Sequence, residues 1–198
     1  MTGRDLFDRA VALLALIVLS PVLAVIALLV LMTSSGPVIF RQVRVGQNGR
    51  HFEIYKFRTM VNGAHRASSN ISPHGDPRVT RVGRWLRASY LDELPQLVNV
   101  LRGDMSLVGP RPETPEYVAL YSPQEREVLR ARPGLAGPST LAFMDEGERL
   151  AGSDDPAGHY ESVLLHERVK ADLAYLDQRS LSYDIRLLVR QVAAIVRH

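Results

Sequence analysis

No cysteine occurs among the 198 residues, which excludes disulfides, thiolate metal sites and a cysteine nucleophile while leaving the compartment open. Lysine is nearly missing too. Lys56 and Lys170 stand against 22 arginines, so a position that keeps the compact ammonium is a candidate for a task a guanidinium does less well. Aromatic residues make up 7% of the chain and do not interleave with the arginines as the stacking platforms of single-strand nucleic-acid binders do. The sequence contains no Asp-x-Asp pair, Walker loop, dinucleotide-type glycine fingerprint or His-Glu-x-x-His. Those absences speak against a nucleotide-sugar glycosyltransferase of the Asp-x-Asp kind, a P-loop NTPase, a Rossmann enzyme and a zincin. Internal repeats and low-complexity tracts are likewise missing.

The charge that is present is unevenly spread. Net charge is +3, yet residues 1–40 sum to zero, residues 41–87 carry 10 Lys or Arg against 2 acids, and residues 88–198 carry 12 against 17. The basic block is thus a local feature that points to an anionic substrate or lipid. Directly after it come Asp92-Glu93-Leu94-Pro95-Gln96-Leu97 and then the loop Gly109-Pro110-Arg111-Pro112. A carboxylate pair beside a cationic, backbone-rich loop suits a polyphosphate: the cations hold the anion, and a carboxylate attacks it or carries a metal to it. Taken alone, such a pair is more often a solvated helix start, with Asp92 capping a helix over Gln96 to Leu101. Arg87 and Arg111 on either side turn the balance towards a site.

Val11 to Met32 is a run of 22 residues, apolar except for Ser20-Pro21 near its middle. As one helix it would be about 33 Å long, enough to cross a bilayer. A signal peptide has a shorter apolar region, roughly 7–15 residues. The remaining choices are a plain spanning helix and a re-entrant hairpin. Pro21 favours the hairpin, because it removes an N–H and crowds the carbonyl of Ile17 at the midpoint, where the Ser20 hydroxyl is placed to take up the freed carbonyl. Arg4 and Arg9 before the run, and Arg41, Arg44 and Arg50 after it, favour keeping both ends in the cytoplasm. We therefore expect a membrane-anchoring re-entrant helix-break-helix over residues 1–36 and a cytoplasmic catalytic domain over 37–198.

In that second part, Pro37–Gly46 and His51–Phe57 read as strands of a short β-hairpin turned at Gln47-Asn48-Gly49. Residues 61–77 read as a mobile loop and Val79–Leu91 as a short basic helix. Ser122-Pro123-Gln124-Glu125 is a capping-box helix start, ended by Pro133-Gly134. Gly147–Gly158 reads as a polar loop. His159–Val196 reads as helical with a break near Ser180–Ser182. Its last part carries an apolar stripe of Leu181, Ile185, Leu188, Val189, Val192 and Ile195, read first as core packing and second as a membrane-surface face. The fold class is a small, mostly helical α+β domain behind a membrane anchor.

Several long motifs resemble the bacterial sugar transferase family, the monotopic phosphoglycosyl transferases that start lipid-linked glycan assembly. They are Asp76-Pro77-Arg78-Val79-Thr80-Arg81-Val82-Gly83-Arg84, then Leu91 to Leu97, then Gly103-Asp104-Met105-Ser106-Leu107-Val108-Gly109-Pro110-Arg111-Pro112-Glu113, with Lys56-Phe57-Arg58-Thr59-Met60, Arg132 to Gly137 and Tyr175 to Asp184 in support. The resemblance covers essentially the whole chain in order. It implies a two-step reaction on a bacterial inner membrane: an Asp carboxylate takes the phosphosugar from a UDP-sugar, releasing UMP, and passes it to polyprenyl (undecaprenyl) phosphate. It further implies Asp92 as nucleophile and Mg²⁺ ligand, Glu93 as its catalytic partner, and Mg²⁺ bridging Asp92 to the diphosphate. Lys56, Arg58 and Arg87 would line the phosphate site, Pro110-Arg111-Pro112 would lie against the nucleotide, and Asp172 matches an acid of the family's C-terminal stretch. Expected partners are the UDP-sugar, polyprenyl phosphate and membrane lipid, with no nucleic acid; homo-oligomerisation is left open.

Two departures from the family pattern stand out. Gly134-Leu135-Ala136-Gly137 lacks a hydroxyl that many members carry at the third position, and Pro138–Gly158 is the stretch least like other members, which leaves the sugar unreadable. The rival readings are a membrane-anchored anion- or nucleic-acid-binding module and a conventional glycosyltransferase. Release of UMP marks phosphosugar transfer, UDP marks sugar transfer, and no nucleotide release marks the binding module.

Overall fold

The computed structural model describes residues 3–64 and 72–197; the centre of the expected loop over 61–77 lies outside them. The apolar run forms helix α1, Gly3–Thr33, which continues through Pro21. The Ser20 hydroxyl donates to the Ile17 carbonyl at 2.7 Å, the carbonyl that Pro21 leaves without its helical partner. The lost bond is thereby replaced within the turn. The expected break of the helix into two segments is not seen: α1 is one element in which proline is tolerated.

One face of α1 packs on the rest of the chain. Ala12 lies among Ile54, Leu97, Val100, Met105, Leu107 and Tyr175, while Ile26 and Val30 meet Phe57 and Leu86. The other face, including Leu14, Ile17, Val18, Val25, Leu28 and Met32, is exposed. Such a helix is long and apolar enough to cross a membrane.

Strands β1 (Ile39–Val45) and β2 (His51–Phe57) pair antiparallel, with Phe40 opposite Lys56. Asn48 and Gly49 adopt left-handed φ values of 56° and 76° in the connection, as the Asn-Gly signal requires. Helix α2 (Arg81–Ala88) starts at Thr80, whose hydroxyl accepts from the Gly83 N–H. Gly83 lies directly against the Thr59 carbonyl, so any side chain there would collide with backbone. That contact holds α2 to the end of β2.

A 3₁₀ turn over Leu91–Gln96 and helix α3 (Leu97–Arg102) follow. The acid pair sits inside the 3₁₀ turn and Asp92 makes no capping bond, so the helix-start alternative weighed against a site is not what is seen. Beyond lie β3 (Ser106–Val108), α4 (Pro115–Ala119), β4 (Gly134–Ala136), α5 (Pro138–Ala142), α6 (Glu146–Ala151), α7 (Pro156–His159), α8 (Leu165–Asp177) and α9 (Leu181–Arg197), with one π-helical segment at Tyr160–Leu164 leading into α8.

Ser122 and Glu125 form the reciprocal capping bonds, 2.8 and 3.3 Å, but the element they start, Glu125–Arg130, is a short 3₁₀ helix. The expected polar loop at 147–158 is largely helical, in α6 and α7. The parallel pairing of β3 with β4 had no counterpart in the sequence reading.

Helix α9 corrects a further expectation. Tyr183, Asp184, Leu187, Leu188 and Gln191 are turned inward, whereas Leu181, Ile185, Val189 and Val192 are 48–63% exposed. Leu188 thus meets the core as expected, while these four residues of the apolar stripe face away from it.

Candidate active site

Arg87 ends α2, and the chain then turns sharply at Tyr90, a non-glycine residue held at φ 54°. A bulky side chain in that region costs on the order of 1–3 kcal/mol. The turn delivers Asp92 and Glu93 as the first buried residues of the 3₁₀ segment. The Tyr90 hydroxyl donates to the Met144 carbonyl at 3.4 Å, tying this turn to the divergent stretch before α6.

Both carboxylates line a cavity of about 300 Å³. From the β-hairpin come Lys56, Arg58 and Arg44; from α2, Arg87; from the loop after β3, Arg111 and Glu113; from the C-terminal half, Phe143, Met144, Glu146, Tyr160 and Arg168. The two acids have different surroundings. Glu93 accepts from Lys56 Nζ at 2.6 Å and from Arg111 Nη2 at 3.4 Å. Burial alone would raise its pKa, but these two cations outweigh it and hold Glu93 below the usual carboxylate range. Burial raises Asp92 and the Glu93 charge adds to that, while Lys56, Arg87 and Arg111 pull it back only in part. No hydrogen bond from the described residues reaches the Asp92 carboxylate. Lys56 is itself lowered, by burial first, with Glu93 opposing.

The cavity wall beyond the acids is a set of buried ion pairs. Arg44 binds Glu113 at 3.2 Å, Tyr160 donates to the same Glu113 at 2.9 Å, and Arg168 pairs with Glu146. Arg87 donates to the hydroxyls of Thr59 and Ser72, at 2.9 and 2.7 Å. Among the described residues no three His, Cys, Asp or Glu converge as a metal cage. Mg²⁺, however, commonly takes one or two protein carboxylates and completes its shell with phosphate oxygens and water. An Asp92 carboxylate open to a cationic cavity fits that demand.

The full chain, residues 1–198, matches the family described as bacterial sugar transferase. The chain belongs to the bacterial sugar transferase family. Among individual relatives it is 40% identical, over 98% of its own length, to the UDP-glucose:undecaprenyl-phosphate glucose-1-phosphate transferase of Caulobacter vibrioides. It is 40% identical over 95% of its length to the undecaprenyl-phosphate glucose phosphotransferase of Komagataeibacter xylinus, and 38% over 91% to the UDP-glucose:undecaprenyl-phosphate glucose-1-phosphate transferase of Escherichia coli. The chain spans 69% of the first of these proteins, but 35% and 37% of the other two.

Within this sugar transferase fold, the residues singled out in the sequence separate into two groups. Lys56, Arg58, Arg87, Asp92, Glu93 and Arg111 share the cavity. Pro110, Pro112 and Asp172 do not line it. The Pro110 carbonyl accepts from Gly134 N–H at 2.8 Å and the Pro112 carbonyl from Arg44 at 3.0 Å, so the prolines fix the loop from which Arg111 reaches in. Asp172 on α8 accepts from the Arg111 N–H at 3.0 Å and from the Ser139 hydroxyl and N–H at 2.9 and 3.2 Å. Burial raises its pKa to about 6 against those bonds. It acts on the cavity through the backbone of Arg111.

The missing hydroxyl at Ala136 also finds its place. Ala136 is buried in the apolar cluster under α1, away from the cavity. Arg44, Glu113, Tyr160, Glu146 and Arg168 were not picked out from the sequence. Only the match of Glu113 to the end of a family motif signalled any of them.

Proposed function

We propose that the protein transfers a sugar 1-phosphate from a UDP-sugar to polyprenyl phosphate and releases UMP, so starting lipid-linked glycan assembly. The observation that carries this reading is the division of labour within the acid pair: Glu93 is clamped by Lys56 and Arg111, while Asp92 faces the cation-lined cavity without a hydrogen bond from the described residues. In the first step an Asp92 oxygen attacks the sugar-bearing phosphorus. The bridging P–O bond breaks and UMP leaves with the electron pair, giving an aspartyl-phosphosugar. In the second, an oxygen of the lipid phosphate attacks the same phosphorus, the bond to Asp92 breaks, and the carboxylate is restored beside polyprenyl diphosphate sugar.

Lys56, Arg87 and Arg111 lie where they would gather the charge of the diphosphate and the departing nucleotide. Asp92 with the diphosphate oxygens would hold Mg²⁺, which when bound supplies further neutralisation of charge between carboxylate and phosphate. UDP-glucose is the donor named for the Caulobacter vibrioides and Escherichia coli relatives, which puts it first among donors to test. The decisive measurement is single-turnover incubation with UDP-glucose and related UDP-sugars without acceptor. We expect up to one equivalent of UMP and an intact-mass increase equal to one phosphosugar. UDP as product, or UMP without any adduct under trapping conditions, overturns the covalent reading.

The same reading includes a re-entrant anchor, entering and leaving on the cytoplasmic side of the inner membrane although α1 stays helical through Pro21, with its catalytic face on that side. Its support is that both ends of α1 are fastened to one body. Arg4 binds Asp184 at 2.5 Å and Asp5 binds Arg132 at 2.9 Å, while at the other end the Ser34 carbonyl accepts from Arg58 at 2.6 Å. A helix crossing to the far side would lose one set of these partners. Cysteines introduced at Gly3 and Ser35, in a chain that has none, should both resist a membrane-impermeant thiol reagent in intact cells and react after permeabilisation. Labelling of the Gly3 site from outside would establish a spanning helix.

A further inference from the structure

Among the described residues, seven cations line the cavity, and most are already matched. Lys56 and Arg111 share Glu93, Arg44 holds Glu113, Arg78 holds Asp76 and Arg168 holds Glu146. Arg58 and Arg87 have no carboxylate partner among the described residues. Arg87 is spent on two hydroxyls and stands beside Asp92, whose ionisation it favours. Arg58 is different. It is 8% exposed, and its Nε and Nη1 are buried without a hydrogen-bond partner. Its third nitrogen donates to the Ser34 carbonyl, one residue beyond the end of the apolar helix. A guanidinium buried without a counter-anion is costly, and the group that best relieves it is a phosphate or carboxylate met by two of its N–H groups.

Position says which anion. Lys56, Arg87 and Arg111 surround Asp92, where the donor diphosphate must sit. Arg58 lies at the rim where the chain leaves α1, wedged under Gly36, whose φ is +115° and whose added Cβ would come within 2.6 Å of Arg58 Nη1. A lipid lying along the exposed apolar face of α1 would bring its headgroup to this end of the cavity.

Resting on the phosphosugar-transfer reading above, we infer that Arg58 is the seat of the lipid acceptor's phosphate, separate from the donor diphosphate held by Lys56, Arg87 and Arg111. Its unpartnered N–H groups donate to the phosphomonoester, another oxygen of which attacks the phosphorus on Asp92 as the aspartyl P–O bond breaks.

The test is steady-state kinetics with UDP-glucose and undecaprenyl phosphate on the full chain in vesicles, for wild type, Arg58→Gln, Arg58→Lys and Gly36→Ala. Arg58→Gln should raise the acceptor KM by about tenfold or more, with partial recovery in Arg58→Lys. The donor KM and the single-turnover UMP yield should move by less than about twofold. Gly36→Ala, which crowds the guanidinium from outside the cavity, should shift the acceptor KM in the same direction and so serves if Arg58→Gln folds poorly. A parallel rise in donor KM would assign Arg58 to the donor; no change in either would make it structural. Each result overturns the inference. Replacing phosphatidylcholine by phosphatidylglycerol should leave the wild-type acceptor KM unchanged; competition that vanishes in Arg58→Gln would mean a general phospholipid seat and also overturn it. Failure of wild type to release UMP from any UDP-sugar would sink the parent reading instead.

Discussion

Glu93, clamped by two cations, and Asp92, left to the cavity, differ by one position in the chain and by opposite displacements in acidity. As the proposed nucleophile, Asp92 must be ionised, so kcat/KM should fall as pH drops through the Asp92 pKa, at a midpoint above the ordinary Asp value of about 3.9. Lys56 is the strongest of the cations pulling that pKa down. Lys56→Met should therefore move the acid limb of the pH–rate profile upward while lowering its plateau; an unmoved limb would detach Lys56 from Asp92. Asp92→Asn should cost more than about a thousandfold in kcat, beyond 4 kcal/mol of barrier. A loss within about tenfold would exclude it as nucleophile. Legibility at this scale divided by locality. Lys56, Arg58, Arg87, Asp92, Glu93 and Arg111 stand in contiguous motifs. Tyr160, Glu146 and Arg168 reach the same cavity from separate helices, and nothing in a local run of residues announces that convergence.

At the scale of elements, long periodic segments were readable and short ones were not. The hairpin formed where expected, its second strand over His51–Phe57 as read and its first shortened to Ile39–Val45, because β-branched and aromatic residues flank Asn48-Gly49. Strands β3 and β4 are three residues each, too short to alternate, and exist because Gly134 has no side chain to keep Gly109 away. Their pairing aims the loop of Arg111, and Asp172 completes the hold from α8. Asp172→Asn replaces an acceptor of three donors by a group that must turn an N–H towards at least one of them. We expect a loss of about 1–3 kcal/mol in unfolding free energy and a raised donor KM; an unchanged KM would show that Arg111 holds its place without it. The apolar stripe of α9 was seen in the sequence but assigned to the core, since periodicity alone does not tell which neighbour a face meets. Together with α1 its exposed residues form outward apolar surface. Val189→Asp with Val192→Asp should shift protein from the membrane fraction to the soluble one without lowering the melting temperature in detergent. Unchanged partitioning would leave membrane attachment to α1 alone.

For the molecule as a whole, the site is assembled against stability. Asp92 and Asp172 both have raised folded-state pKa values because burial penalises their charge. A carboxylate raised in the folded state binds more protons there than in the unfolded chain between the two pKa values, so these two groups destabilise the fold progressively as pH rises from about 4 to about 6 and by a constant amount above that. Asp92→Asn removes one such charge. At neutral pH this variant should be the more stable, by on the order of 2 kcal/mol or a few degrees in Tm, with the difference vanishing towards pH 4. A variant less stable than wild type at neutral pH would contradict the burial argument.

The fastening of α1 by Arg4, Asp5 and Asp8 has a consequence for biogenesis. Their partners are Asp184, Arg132 and Ser106, so the first turns of the chain await residues made roughly a hundred to two hundred positions later. At about 5–20 residues per second, translation separates Arg4 from Asp184 by roughly 10–40 seconds. Throughout that interval the apolar helix is complete while most of the surface that will cover one of its faces has not been synthesised. Until then its early charged residues have only one another, at i,i+4 spacing, and water or lipid headgroups to pair with. Membrane delivery must therefore precede closure of the fold, and a nascent chain stalled before Arg132 should float with membranes yet remain sensitive to protease along its whole exposed length.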